Sequence, residues 1–329
     1  MHKVLIGVLS YNDLHFLKES LPVVESLRQN LPADVVVLDT AHNEEVKNFI
    51  ENDFPDFDYV RHKDGNIGYG NAYNEMLRLK PGHDFFLVYT SDVLLDEPTV
   101  KSYVTRMQQD PELAMCAGKM HFWDLKNKRK TQIIDTLGII GEKRHHFHEL
   151  GSGEQDTGQF DDQLESVFGI SGAAYLIRTS AVWDLHGNNW QIYDERMWMY
   201  KEDVDLAYRM KWLGKKIRVF PEVWGWHART VANRVGQSHA ALARADQSKP
   251  GYGRLHSYKN HILMLKNNFS LRLGLSVILK TLIYEKLKAL FMLFRHPKVF
   301  LAGVKTLLFV PARRSDRRVP AKIIRNSLR

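Results

Sequence analysis

Apolar runs and helical stripes alternate through the first part of the chain. "KVLIGVLSY" (3–11) is an apolar run of strand length, and Leu14, Leu17, Leu21 and Val24 then follow helical spacing behind the capping candidates Asn12 and Asp13. "ADVVVLDT" (33–40) and "FDYVRH" (57–62) predict a second and a third strand, and a glycine-containing turn leads into the helical stretch "NAYNEMLRLK" (71–80). A fourth strand, "DFFLVYTSD" (84–92), a helix, "EPTVKSYVTRMQQD" (97–110), and a fifth strand, "LAMCAGKM" (113–120), continue the pattern. This alternation predicts a mostly parallel α/β sheet with helices on both faces. Ligands of such sheets sit beyond the carboxyl ends of the strands. Three polar sites fall there: Ser10-Tyr11-Asn12, Asp39-Thr40 and Thr90-Ser91-Asp92.

From about 121 to 165 the pattern dissolves into polar, irregular sequence, which reads as a long loop. Its histidine-rich stretch "RHHFHE" (144–149) lacks clean metal-ligand spacing and reads as solvated. "VFGISGAAYLIRTSAVWDLHG" (167–187) resumes the pattern, and Gly172 in it allows a close approach of backbone to a ligand or another strand. In "MYKEDVDLAYRM" (199–210) a helix begins, with Leu206, Met210 and Leu213 on one face and Gly214 as the stop. Three carboxylates, Glu202, Asp203 and Asp205, crowd its first turn, where the helix dipole welcomes acids. They either cap the helix or accept a proton from a substrate. Asp205 stands four residues before Arg209, the spacing of a helix-surface ion pair.

Charge divides the chain. Residues 254–329 hold 17 of the 46 Lys and Arg but two of the 38 Asp and Glu, so this segment carries +15 and the remainder −7. The expected organisation is therefore an acidic domain over 1–253 and a basic amphipathic helical tail over 254–329. Leu279, Leu282, Ile283, Leu287, Leu290 and Phe291 follow helical spacing, and the apolar runs are too short to span a bilayer. An interfacial helix on an anionic membrane fits this stripe. So does packing on the catalytic domain or on a second subunit. The basic tail leaves open a nucleic-acid-binding protein, although its interleaved leucines fit a membrane better than a nucleic-acid groove. Cys116 is the sole cysteine, which excludes an intramolecular disulfide and fits a reducing compartment. The short apolar N-terminal run reads as a strand and not as a signal peptide.

Taken singly, the candidate site residues are ambiguous. Asp39 suits a ribose or base edge, or a helix cap; Asp92 suits a hard cation, or a turn; His227 is a lone histidine after the strand "KKIRVFPEV". "GNIGYGN" (65–71) has the wrong spacing for a dinucleotide fingerprint, and no P-loop is present.

Their order along one chain resembles the glycosyltransferase family 2, which has the GT-A fold. "SYN", "VVVLDTAHN", "GNIGYGNAYNEML", "YTSDVLL" and "DERMWMYKEDVDLAYRMKWLGKKIRVFPEVWGWH" carry the resemblance, from about Val4 to about His227. "IIDTLGIIG", "GSGEQDTGQFDD" and "VFGISGAAYLIR" are similar to its rhamnosyltransferase-like branch, which builds bacterial surface polysaccharides on lipid-linked acceptors.

The resemblance implies an inverting transfer from a dTDP- or UDP-sugar, with a divalent cation, Mn2+ or Mg2+, between Asp92, His227 and the donor phosphates. It implies Asp203 as general base with Glu202 in support. Ser10, Tyr11, Asn12, Asp39, Asn66, Gly68, Asn71, Ser91 and Gly172 would then contact the donor, and Trp198 and Tyr200 the acceptor. Thr90 stands where many relatives carry a first metal-binding aspartate, which leaves open a nucleotide-sugar-binding protein without catalysis. The expected location is cytoplasmic, peripheral on the inner face of the membrane.

Overall fold

The computed structural model describes residues 2–186, 190–229 and 251–329. One sheet of nine strands organises them. Its parallel half is β1 (Val4–Ser10), β2 (Ala33–Asp39), β3 (Asp58–Arg61) and β4 (Phe85–Thr90), in the order β3-β2-β1-β4. Of these, β1, β2 and β4 are covered on both faces, which is why their sequences are nearly unbroken apolar runs, whereas β3 at the sheet edge is only partly buried. Between them run α1 (Leu14–Asn30), α2 (Glu44–Asp53) and α3 (Tyr69–Leu79). The register sets Ser10 opposite Asp39 and Leu9 opposite Thr90, so the polar strand ends share one edge.

The other half is mixed. The short β5 (Val93–Leu95) and α4 (Glu97–Gln109) precede β6 (Leu113–Asp124), which pairs with β7 (Arg129–Thr136). After a separate hairpin, β8 (Ile139–Gly141) and β9 (Phe147–Glu149), β10 (Ala174–Arg178) inserts antiparallel between β4 and β6. Helices α5 (Thr179–His186) and α6 (Glu202–Trp212) follow, and β11 (Lys216–His227) lies parallel to β6 and antiparallel to β5.

The segment 121–165 is thus no loop. Register shifts in the β6–β7 pairing and side-chain pairs such as Lys119 and His121 on Asp156, at 3.1 and 2.9 Å, replace the alternation that a sequence pattern needs. Nor is "RHHFHE" solvated throughout. His145 is fully buried and bonds Thr281 at 2.7 Å, and Phe147 packs with Phe168 and Tyr208.

The basic segment forms α7 (Gly251–Asn268), α8 (Leu275–Arg295), α9 (Pro297–Phe309) and α10 (Ala321–Asn326). The expected boundary at 253/254 falls inside α7, and beyond it Leu263, Met264, Leu273, Val277, Ile324 and Leu328 share one apolar cluster with Val204, Tyr208 and Trp212 of α6. Because α7 covers α6, the Asp205–Arg209 pair is not on a helix surface. Arg209 Nε donates to Asp205 Oδ2 at 2.7 Å with both side chains buried, and Asn268 of α7 donates to Asp205 Oδ1 at 2.8 Å.

Candidate active site

Around the strand ends, the residue that precedes α1 does something other than cap it. The Asp13 carboxylate is buried and makes no cap bond; it accepts from Ser10 Oγ at 2.6 Å and from Ser91 Oγ. Burial pushes its carboxyl up, and the two serine hydrogen bonds pull it partly back. Ser10 and Ser91 therefore fasten the ends of β1 and β4 together through Asp13. Asp39 is also buried. Its oxygens accept from the Ala41 and Asn43 amides at 2.8 and 2.9 Å and from the Tyr59 hydroxyl at 2.8 Å, which shapes the turn before α2. Tyr11 and Asn12 stand exposed at the rim, Asn12 in the left-handed region at φ 55°.

The N-terminus of α3 abuts the segment before α6. Asn66 Oδ1 accepts from the Gly68 amide at 3.0 Å, and Gly68, at φ 86°, has no room for a side chain: a Cβ would lie 2.3 Å from the Trp198 carbonyl. Asn71 donates to the Ile67 and Glu195 carbonyls at 2.9 and 3.3 Å, and its buried Oδ1 has no hydrogen-bond partner among the described residues. Gly172 meets the Tyr69 ring, whose hydroxyl donates to the Gly172 carbonyl. Trp198 packs against Tyr252 and His256 of α7, at 5.1 and 5.4 Å between ring centres, whereas Tyr200 is about half exposed. Tyr200 and Lys201 both adopt left-handed backbone, φ 69° and 71°, held there by Asn260, which donates to the Met199 and Tyr200 carbonyls. Non-glycine residues in this conformation cluster at functional sites. Here they aim the first turn of α6.

That turn carries Glu202 and Asp203. Glu202 is buried, and its Oε2 lacks a partner among the described residues. Burial, and next the charge of Asp203, push its carboxyl up to about 8. An acid held protonated in the fold but free to ionise once unfolded costs stability as pH rises from the ordinary carboxylate range to about 8. Denaturation midpoints followed across that window are expected to fall in the wild type and to fall less in Glu202→Gln. A slope unchanged by the substitution would remove Glu202 as its source. Asp203 is only partly buried, and its Oδ1 accepts from the Val204 amide at 2.7 Å.

At the ends of β5 and β11, Asp92 Oδ2 lies 3.1 Å from His227 Nε2, and His227 Nδ1 lies 2.8 Å from Asp135 Oδ2. Burial alone disfavours the imidazolium, but the charges and hydrogen bonds of the two aspartates raise His227 to about 9. Arg229 continues the chain of charges, 3.5 Å from Asp135 and 3.7 Å from Glu149. Burial pushes Glu149 up, Arg229 pulls it down, and Asp135 and Asp203 push it up again. Asp203 is thus electrostatic neighbour to this cluster. Sequence reasoning missed Asp135, Glu149 and Arg229. The available signals were a lone acid inside the apolar run "IIDTLGII" and an arginine two residues past His227.

The Asp92–His227 pair fits a divalent cation. Donor atoms about 3 Å apart are spaced like neighbouring corners of an octahedron with bonds of about 2.1 Å. Asp135 on the far nitrogen fixes the imidazole as an outer carboxylate does at metal centres. Thr90 adds no carboxylate there; its hydroxyl donates to the Ala173 carbonyl at 3.0 Å and helps to hold the Asp92 carboxyl low. Glu142, His146 and His148 also bring ligand atoms within 4.8 Å of one another. Arg144, 2.7 Å from Glu142 Oε2, already neutralises that carboxylate, so the Asp92–His227 pair is the stronger candidate.

No protein-family model matches this chain, and no curated sequence does. Among solved structures it is similar to GalNAc-T7, crystallised with UDP, GalNAc and Mn2+, with TM-score 0.58 and 12% identity over 81% of this chain; it spans about half, 48%, of that one. It is also similar to residues 1–349 of S. aureus TarS in complex with UDP, with TM-score 0.50 and 15% identity, 93% of this chain and 90% of that one being covered. At these identities the likeness carries architecture: the protein has the GT-A fold of glycosyltransferases, a mostly parallel sheet with helices on both faces, extended by C-terminal helices.

Proposed function

We propose that this chain is an inverting, metal-dependent glycosyltransferase of the family 2 type. It moves a hexosyl group, rhamnose being one candidate, from a UDP- or dTDP-linked donor to a glycan or lipid-linked acceptor in surface polysaccharide synthesis, at the cytoplasmic face of an anionic membrane. One observation carries the reading: a partly exposed carboxylate, Asp203, follows strained backbone and acts electrostatically on Glu149 and Arg229, which adjoin the Asp92–His227–Asp135 cluster. The UDP and Mn2+ of the similar structures support a UDP-type donor and a divalent ion.

When bound by Asp92 and His227, the ion would supply charge neutralisation at the departing diphosphate. Asp203 takes the proton of the acceptor hydroxyl as that oxygen attacks C1 from the face opposite the leaving group, which inverts the anomeric centre. Burial keeps Glu202 protonated beside it, so Glu202 is not the base at neutral pH. Asp135 holds the His227 ring. Tyr11, Asn12 and Asn66 at the open rim are positioned for the nucleotide, while Asp13, Asp39 and the two serines hold the strand ends that shape its seat.

The lack of a carboxylate at Thr90 favours a second reading, a nucleotide-sugar-binding protein without turnover. A panel of nucleotide sugars read by thermal shift, with Mn2+ and with EDTA, and then by donor consumption, separates the two. Transfer is expected with Mn2+ and an acceptor glycan; binding without turnover would establish the second reading. In the same assay Asp92→Ala and His227→Ala are each expected to reduce the Mn2+-dependent thermal shift, as EDTA does. Activity intact in EDTA would end the metal assignment.

A further inference from the structure

Helix α8 turns Val277, Thr281 and Met292 to the protein and leaves most of its large apolar side chains facing solvent. Inward, Thr281 bonds His145 at 2.7 Å, Glu285 holds His261 at 2.7 Å, and Lys288 stands over the Tyr258 and Tyr284 rings. Outward, Leu275, Leu279, Leu282, Ile283, Leu287 and Phe294 are between 49 and 78% exposed. Helix α9 continues the surface. Its Gly303 seats it on α7, a Cβ there falling 2.5 Å from the Tyr258 ring, while Leu301, Leu308 and Phe309 face away at 56, 65 and 77% exposure. Two adjoining helices with this orientation make a continuous apolar face that nothing among the described residues covers. Large patches of this kind mark interaction surfaces.

We propose that the outer face of α8 and α9 lies in the interface of an anionic phospholipid bilayer, both helices parallel to the membrane plane. Charge selects this occupant. Lys280, Lys286, Arg295, Lys298 and Lys305 are exposed among the apolar residues, while one of the segment's two acids, Glu285, is turned inward against His261. Lysine-rich amphipathic helices with this layout bury their apolar side at the headgroup boundary and pair their cations with anionic lipid. A two-fold pairing of the face with itself would set like charges against each other. No helix among the described residues is long and apolar enough to cross a membrane, so the face lies on the bilayer and does not span it. The inference rests on the proposed lipid-linked acceptor for its purpose, but its test does not need turnover.

The test uses the full chain, because Ile324 and Leu328 belong to the cluster under α6 and a truncation would open it. Co-sedimentation is measured with vesicles of phosphatidylcholine, alone and with phosphatidylglycerol, at low and high salt. Binding is expected to the anionic vesicles at low salt. It should weaken at least about ten-fold in high salt, in Lys280→Glu with Lys286→Glu, and in the triple variant Leu279→Gln, Ile283→Gln, Leu287→Gln, each with an unchanged melting temperature. Failure of the wild type to bind anionic vesicles at low salt would overturn the proposal. So would a wild-type dimer that the triple variant converts to monomer, since a second copy would then cover the face. Vesicle binding without sugar transfer would uphold the surface and remove the transferase reading instead.

Discussion

Asp203→Asn is expected to lower the rate of sugar transfer by about 10²–10⁴-fold, the usual contribution of a positioned general base. Donor affinity should stay within a few-fold. The substitution keeps side-chain size and leaves an oxygen to accept the Val204 amide, so the start of α6 survives while the basic oxygen is lost. The defect should appear in kcat and in kcat/KM alike, as for an interaction made in the transition state. Glu202→Gln is the control on the adjacent residue. Because burial already holds Glu202 protonated toward about 8, an amide copies the state it has at neutral pH, and its effect on rate should be far smaller. Steady-state kinetics on the donor found by the thermal-shift panel checks both. Wild-type turnover by Asp203→Asn would remove it as the base.

Asp205→Ala is expected to destabilise the fold by about 3–5 kcal/mol, the cost of removing one member of a buried ion pair. Arg209 is 2% exposed; in the variant it would keep the neutral Ile192 carbonyl, now at 2.6 Å, but lose the carboxylate 2.7 Å from its Nε. Asn268 would lose the same carboxylate, which ties α7 to α6. Against a total stability of about 5–15 kcal/mol, the loss is large enough to lower the urea midpoint sharply. Adding Arg209→Met should recover part of it, because the second change removes the other buried charge of the pair. A loss below about 1 kcal/mol would place the pair with exposed ion pairs, contrary to its burial.

The sequence by itself determined the parallel half of the sheet. Strands β1, β2 and β4 are buried on both faces, so each announces itself as an apolar run, and polar residues where a run ends mark the ligand edge. It also located α6, since Leu206, Met210, Leu213 and Gly214 are local signals of one helix and its end. Pairing of Asp205 with Arg209 was likewise legible, because i to i+4 contact depends on helix geometry alone.

Only the tertiary structure decided what those local features face. Asp135 from β7, Glu149 from β9 and Arg229 after β11 gather around His227 through pairings of strands far apart in the chain, and no short-range spacing encodes such contacts. The two serines near the strand ends were visible, but their attachment to Asp13 was not, because Ser91 is 78 residues away from it. The 121–165 segment was unreadable for a related reason: its buried polar groups are satisfied by distant partners, so burial there does not coincide with hydrophobicity. The apolar stripe of α8 was plain in the sequence, yet a protein core and a bilayer surface accept the same stripe. Which side turned outward was set by His145 and His261, which hold Thr281 and Glu285 against the body and leave the leucines facing away.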